Sequence, residues 1–316
     1  MEVLSAFWDG AFGSAFAIWS ATLVRATPLL LLGLAVALAF RAGVLNIGAE
    51  GQLLLGAIGA STVALTMNAL PAVLMIPAMM LAGMLGGAVW AGIAAVLKRH
   101  FAVLEVISTI MLNFIALALL GWMVRGPLQE PTGAYPMSST FVDAAHWPFL
   151  IPGQRLHVGF LLGLMAAAIL WFVLARTAVG FRVRAIGMGA RAAASAGGID
   201  ADALSARVFV MSGALAGLAG AAEVGGVTWA LYEGLSPGYG YTAIAVALLA
   251  RLDPRWVVVT AVLFGALEAG GAAMQREAGV PALAVQIVTA SLLLGVLALA
   301  RWQQVRASRV STESTT

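Results

Sequence analysis

The sequence predicts an all-α protein, a polytopic bundle of transmembrane helices with about nine hydrophobic segments, some of them broken or re-entrant. Three observations carry this. Of 316 residues, 62% are hydrophobic and only 10% are charged, where a soluble domain has roughly 25% charged. Mean hydropathy is +0.98, which leaves too little polar surface to hold a globule in water. Apolar runs of the ~20 residues needed to cross a ~30 Å hydrocarbon core recur along the chain.

Residues 19–40 form the first segment, with Arg25 near one end, where its charge can snorkel to the interface. Segment 46–66 follows and opens on an irregular-looking stretch, GVLNIGAEGQ. Segment 72–97 is rich in Gly and Met, carries Pro77, and ends at Lys98, Arg99 and His100. Segment 103–124 leads into a polar stretch, 125–157, with five prolines (Pro127, Pro131, Pro136, Pro148 and Pro152). Segment 158–175 precedes the arginine-rich stretch 176–207, whose composition suggests a short helix around Gly189 to Ala196 outside the bilayer. Segment 208–231 carries Gly213, Gly217 and Gly220–Ala221, a spacing that favours close helix packing. The turn-rich YEGLSPGYG leads into 239–250, a charged turn at 251–255, segments 256–275 and 282–300, and a polar tail.

Basic residues set the sidedness. Arg41, Lys98, Arg99, the five arginines of 176–207, Arg251, Arg255, Arg301, Arg306 and Arg309 fall on one side, thirteen in all; Arg125, Arg155 and Arg276 fall on the other. The positive-inside rule then puts the N-terminus out and the C-terminus in. The expected layout is a single transmembrane domain over 1–316, with an outer N-terminal segment (1–18), an outer loop (125–157), a cytoplasmic loop (176–207) and a cytoplasmic tail (301–316). Residues 1–20 lack the basic start of a signal peptide, so the N-terminus is expected to be retained.

Several chemistries are excluded. The chain has no cysteine, and its histidines, at 100, 146 and 157, lie outside the apolar segments, so no metal or haem site is expected. Its one lysine, Lys98, follows Ala-Ala-Val-Leu rather than a Gly-rich turn, so the chain is not a P-loop ATPase. No cofactor and no enzymatic activity are expected, and any ATP is bound by a partner subunit.

Segment 239–250 is 12 residues, about 18 Å as a helix, too short to span. Irregular backbone survives at membrane depth only where protein buries it or it lines a wet cavity. GVLNIGAEGQ and YEGLSPGYG each precede a small-residue helix, and on this topology they run in opposite directions, the arrangement that marks transport sites. Asn46, Glu50, Gln52, Asn113, Trp229, Tyr239 and Tyr241 are therefore candidate lining for a solute pathway. For the four acids within the spans, Glu50, Glu105, Glu223 and Glu268, a plain interhelical hydrogen bond or a helix-end carboxylate is the competing role. A stand-alone carrier coupled through Glu50 or Glu223 is the alternative to an ATP-driven system.

Four stretches, FRAGVLNIGAEGQLLLGAIGA, LEVISTIMLNFIA, GFRVRAIGMGARAAASAGGI and SGALAGLAGA, resemble the permeases of binding-protein-dependent ABC importers for branched-chain amino acids, ribose and nucleosides. The first two stretches are most similar to nucleoside and simple-sugar permeases. The resemblance implies uptake of a nucleoside or simple sugar through a multi-pass protein of the bacterial inner membrane, with a branched-chain amino acid as the alternative. It implies three partners: an ABC ATPase, a second and non-identical permease, and an extracytoplasmic substrate-binding protein. It also implies that 176–207 docks on the ATPase, with Gly180, Arg184, Ala185, Gly187, Ala193, Ala194, Gly198 and Ile199 matching the family pattern. The family's Asn-Pro before the short helix is Met188-Gly189 here, and its Ala before Gly-Ile is Gly197.

The charge count yields a direct test. In this cysteine-free chain, Ala193→Cys should resist an impermeant thiol reagent on intact cells and react after permeabilisation; labelling on intact cells would invert the topology.

Overall fold

The computed structural model describes residues 2–281 (except the side chain of Ala196) and, beyond them, only positions 284, 287, 290, 291 and 295. The expected segment 282–300, apart from those positions, and the polar tail lie outside the described residues. Ten α-helices and no strand are found among the described residues: α1 (Glu2–Ala11), α2 (Leu23–Arg41), α3 (Ala49–Thr66), α4 (Ala72–Phe101), α5 (Glu105–Arg125), α6 (Gly159–Arg176), α7 (Ala178–Gly197), α8 (Ala201–Glu223), α9 (Tyr239–Leu249) and α10 (Pro254–Glu277). A π-helical turn, Ala17–Thr22, lengthens α2 at its start, and another, Val224–Thr228, lengthens α8 at its end.

Six of these rods are long and apolar enough to cross a membrane: Ala17–Arg41, α4, α5, α6, Ala201–Thr228 and α10. One expected span, segment 46–66, differs. α3 is polar for a span, with Glu50, Gln52, Ser61 and Thr62 in 18 residues. It packs on α4, α5 and α8, and most of its residues are buried. A helix sheathed by other helices does not need the hydropathy of one facing lipid. α9 is 11 residues, about 16 Å at 1.5 Å per residue, half a crossing.

Glycines bring the central helices backbone to backbone. A Cβ on Gly217 of α8 would stand 2.1 Å from the Gly83 carbonyl of α4; one on Gly87 would stand 2.1 Å from the Gly213 carbonyl. A Cβ on Gly56 of α3 would lie 2.2 Å from the Gly217 carbonyl, and one on Gly220 would lie 2.1 Å from the Leu53 carbonyl. In lipid, where apolar burial drives no helix association, such close contact is what holds helices together. The same contacts fix direction. Gly83 and Gly87 of α4 meet Ala221 and Gly213 of α8, so α4 runs antiparallel to α8. Gly59 and Gly86 meet Ala82 and Leu55, so α4 is antiparallel to α3 as well.

Residues 126–158 fold over the end of α8 as a cap. Ser138 N–H donates to the Leu231 carbonyl (2.7 Å), Phe141 N–H to Trp229 (2.8 Å) and Trp147 N–H to Gly225 (2.9 Å). Trp147 is 1% exposed and sits where a Cβ on Gly225 would be 2.3 Å from its Nε1. His157 is buried beneath it; burial pushes its imidazole down to about 4, so it is neutral at pH 7. Its Nδ1 accepts the Gly159 N–H at 3.2 Å, which places its proton on Nε2. The opposite end of the bundle gathers Arg41, Lys98, Arg99, α7 and Arg251 to Arg255, and is called the arginine end below.

Gly92, also on α4, has open space beside it: an added Cβ would meet nothing nearer than Val210 Cγ2 at 4.0 Å. Gly217→Ala should therefore destabilise by about 1–3 kcal/mol, the usual range for overpacking, and lower the detergent-solubilised melting temperature, whereas Gly92→Ala should leave it unchanged. Equal melting temperatures would show that the α4–α8 contact is loose.

Candidate functional site

Two interruptions of helix meet at mid-height of the bundle. The first lies between α2 and α3. Gly43, at φ +75°, turns the chain out of α2, and Asn46 then anchors it. Asn46 Nδ2 donates to Gln52 Oε1 and to Ser212 Oγ, both at 2.8 Å. Its Oδ1 accepts from Gln52 Nε2 (3.0 Å) and from the Gly48 N–H (3.1 Å). The full donor and acceptor capacity of the amide is thereby used. Ser212 passes its own proton to the Ala35 carbonyl at 2.6 Å. Asn46, Gln52 and Ser212 are each at most 1% exposed. They form a buried lock between α2, α3 and α8.

The second interruption lies between α8 and α9. Gly234 and Gly238 take positive φ (+83° and +99°), and Ser236 Oγ caps α9 by accepting from the Gly238 and Tyr239 N–H groups (3.2 and 3.1 Å). Glu50, in the first turn of α3, places Oε2 2.7 Å from the Gly240 N–H in the first turn of α9. Gly240 must be glycine for this approach, since a Cβ would stand 2.3 Å from the Glu50 nitrogen. Arg41 Nε donates to the Leu252 carbonyl (3.0 Å), so α9 returns to the arginine end beside the end of α2, while α3 runs the other way with α8. The N-termini of α3 and of the half-length α9 thus face one another across Glu50. A carboxylate suits the positive end of a helix dipole.

Asn113 of α5 completes the junction. Its Oδ1 accepts the Gly51 N–H (2.9 Å), one of the donors a helix start leaves unpaired, and its Nδ2 donates to the Ile47 carbonyl (3.0 Å) and the Tyr241 hydroxyl (3.1 Å). Asn113 is 3% exposed and Glu50 8%, but Tyr241 is 46% exposed. The junction therefore opens to the surface through Tyr241. Tyr239 is buried behind it. An aromatic face with a polar tip, backed by an amide and a carboxylate, can hold a neutral hydrogen-bonding solute weakly.

The residues expected to line one pathway thus divide into three groups. Glu50, Asn113, Tyr239 and Tyr241 gather at the junction. Asn46 and Gln52 sit behind it in the lock. Trp229 is apart, in the cap, stacked on His146 at 4.5 Å between ring centres. Ser212, Ser236 and Gly240 were not picked out from the sequence, although Ser236 stood in the turn-rich stretch and Ser212 beside the glycine spacing. Of the other acids, Glu105 pairs with Lys98 and accepts the Leu45 N–H (3.1 Å) at the arginine end. Glu223 and Glu268 cluster with Arg25, and Tyr239 of the junction borders that cluster.

The arginine-rich stretch forms α7, longer than the expected short helix. Thr177 caps its start through the Gly180 N–H (3.2 Å). It breaks at Gly189, whose backbone is extended, so the part after the break is the short helix. Gly198, at φ +59°, ends it, with its N–H on the Ala194 carbonyl (3.1 Å). Gly180 and Gly187 are needed for close backbone approach: added Cβ atoms would lie 2.1 Å from the Val173 carbonyl and 2.0 Å from the Arg41 carbonyl. Arg184 lines a cleft with Arg41, Trp171, Asp253 and Arg255. Ala185, Ala193 and Ile199 are half-buried and Ala194 is exposed. Met188 is 84% exposed and Phe181 61%, an apolar face with no cover among the described residues.

The family model described as "branched-chain amino acid transport system / permease component" matches residues 18–300. A glucose ABC transporter permease of Haloferax volcanii is 41% identical over 86% of this chain and 74% of its own. A guanosine ABC transporter permease of Bacillus subtilis is 39% identical over 92% and 84%, and a nucleoside ABC transporter permease of Lactococcus lactis subsp. cremoris is 32% identical over 90% and 79%. Each of these organisms also has a second, less similar permease relative, at 32%, 27% and 26% identity.

The geometry separates two roles for Glu50. Glu50→Ala should cut solute uptake at least tenfold with normal insertion, because the α9 start is freed; Glu50→Gln, which keeps an acceptor for the Gly240 N–H, should retain most of it. Equal loss in both would mean that the charge, not the hold on α9, matters.

Proposed function

The chain belongs to the family of branched-chain amino acid transport system permease components, and from that premise we propose that it is the permease of an ATP-driven importer that takes up a nucleoside, with a simple sugar as the second reading. The observation that carries the substrate class is the Tyr241 junction. It offers an aromatic face, a hydroxyl and a carboxylate, and among the described residues no arginine pairs with Glu50, Asn113 or Tyr241. An amino acid zwitterion would call for a cation near its carboxylate. A base or a sugar ring calls for stacking and hydrogen bonds. The guanosine and nucleoside permeases among the relatives support the first reading and the glucose permease the second.

ATP hydrolysis falls to a separate ATPase docked on α7, with Met188 and the turn at Gly198 facing it. The arginine end is then cytoplasmic, and the cap receives solute from a binding protein on the outer side of the cytoplasmic membrane. The second permease relative in each of three organisms supports a pair of non-identical permeases, the Tyr241 surface facing the sister subunit across the path.

Reconstitution of the permease pair, ATPase and binding protein in vesicles, with ATP on the ATPase side, tests this. Guanosine should accumulate at least tenfold over an ATP-free control. Accumulation of leucine but neither guanosine nor glucose would overturn the substrate class, and gradient-driven uptake by this chain alone would overturn the mechanism.

A further inference from the structure

α4 and α8 are locked together at Gly83, Gly87, Gly213 and Gly217, and the contact continues at Ala91, while Gly92, to one side of that seam, has open space beside it. Beyond it lies an open groove of about 600 Å³ between the two helices. Its walls are apolar: Val96 is 51% exposed and Met211 58%. Its mouth carries Arg99, His100 and Arg207, all exposed, and no carboxylate lines it. Neither arginine forms an ion pair among the described residues, whereas the adjacent Lys98 is engaged by Glu105. The nearest acid on these helices, Asp202, lines a smaller adjoining cavity that shares Arg99.

Both walls belong to helices long and apolar enough to cross the membrane, so the groove opens to lipid and its mouth to the headgroup region. An acyl chain fits an open apolar slot. A phosphodiester fits two guanidiniums, which bind phosphate through paired N–H donors. Basic pockets between membrane helices select anionic over zwitterionic headgroups. We propose that the α4–α8 groove is a binding site for an anionic phospholipid, with one acyl chain along Gly92, Val96 and Met211 and the phosphate between Arg99 and Arg207. Simple snorkelling of two arginines would explain their exposure, but it would need neither the gap at Gly92 nor their convergence on one slot.

Native mass spectrometry of the assembled transporter, released from nanodiscs of equal dioleoyl-phosphatidylglycerol and dioleoyl-phosphatidylcholine, reads the site. The wild type should retain phosphatidylglycerol at least tenfold over phosphatidylcholine. Arg99→Gln with Arg207→Gln should abolish the preference, and the double lysine variant should recover part of it. Gly92→Phe, which fills the slot without changing charge, should release the lipid while the complex stays intact. Equal retention of the two lipids, or a preference untouched by the double Gln variant, would overturn the proposal. Retention unchanged in Gly92→Phe would overturn it too, leaving only headgroup attraction to a basic surface.

Discussion

Everything at the centre of this protein depends on residues 42–48, which carry the chain from the arginine end back into the bundle without stranding its backbone. Lipid offers no hydrogen bonds, so unwound chain there must be satisfied by protein. Asn46 takes the Gly48 N–H and spends the rest of its capacity on the Gln52 and Ser212 side chains, and Glu105 takes the Leu45 N–H. Asn113 takes the Gly51 N–H and the Ile47 carbonyl. With those paired, α3 can start halfway through the bundle, and Glu50 in its first turn can reach the start of α9. Removing the Asn46 amide would leave buried donors and acceptors of Gln52 and Ser212 unpaired, at about 1–3 kcal/mol for each unsatisfied group.

The glycine contacts make that arrangement rigid. Because α3, α4 and α8 touch through backbone at Gly56, Gly83, Gly87 and Gly217, α3 cannot slide without collision, and its start stays at fixed height. The junction is also placed to communicate. α9 runs from Glu50 to the arginine end, where the Leu252 carbonyl accepts from Arg41, and the Arg41 carbonyl packs against Gly187 of α7. A shift of α7 therefore has a short packed route to α9, whose start meets Glu50.

Much of this was legible in the sequence. Composition and apolar runs determine the class, because a chain with so few charges has no soluble solution. The irregular stretches at GVLNIGAEGQ and YEGLSPGYG announced themselves through glycine and through a segment too short to span. The junction was half legible: Glu50, Asn113, Tyr239 and Tyr241 were named, but Glu50's partner is a backbone N–H 190 positions away, and no local pattern encodes that. Trp229 was misleading because it stands in line with the same turn-rich stretch, yet a left-handed backbone turn sends it into the cap against His146. α3 read as an ordinary span because hydropathy does not distinguish a helix facing lipid from one sheathed by neighbours. In α7, the break at Gly189 was close to the expected start of a short helix, while the helical turns from Ala178 onward were hidden by arginines that a loop would also carry.

The central claim is that the meeting point of α3 and α9 borders a watery path rather than lipid or a dry interface. Tyr241 is its exposed member, and the chain has no native cysteine. Tyr241→Cys in the assembled transporter, treated with a small hydrophilic maleimide in the presence and absence of guanosine and ATP, asks the question directly. The account predicts labelling from water that transported solute slows. Reaction only with a lipid-soluble reagent, indifferent to solute, would contradict it.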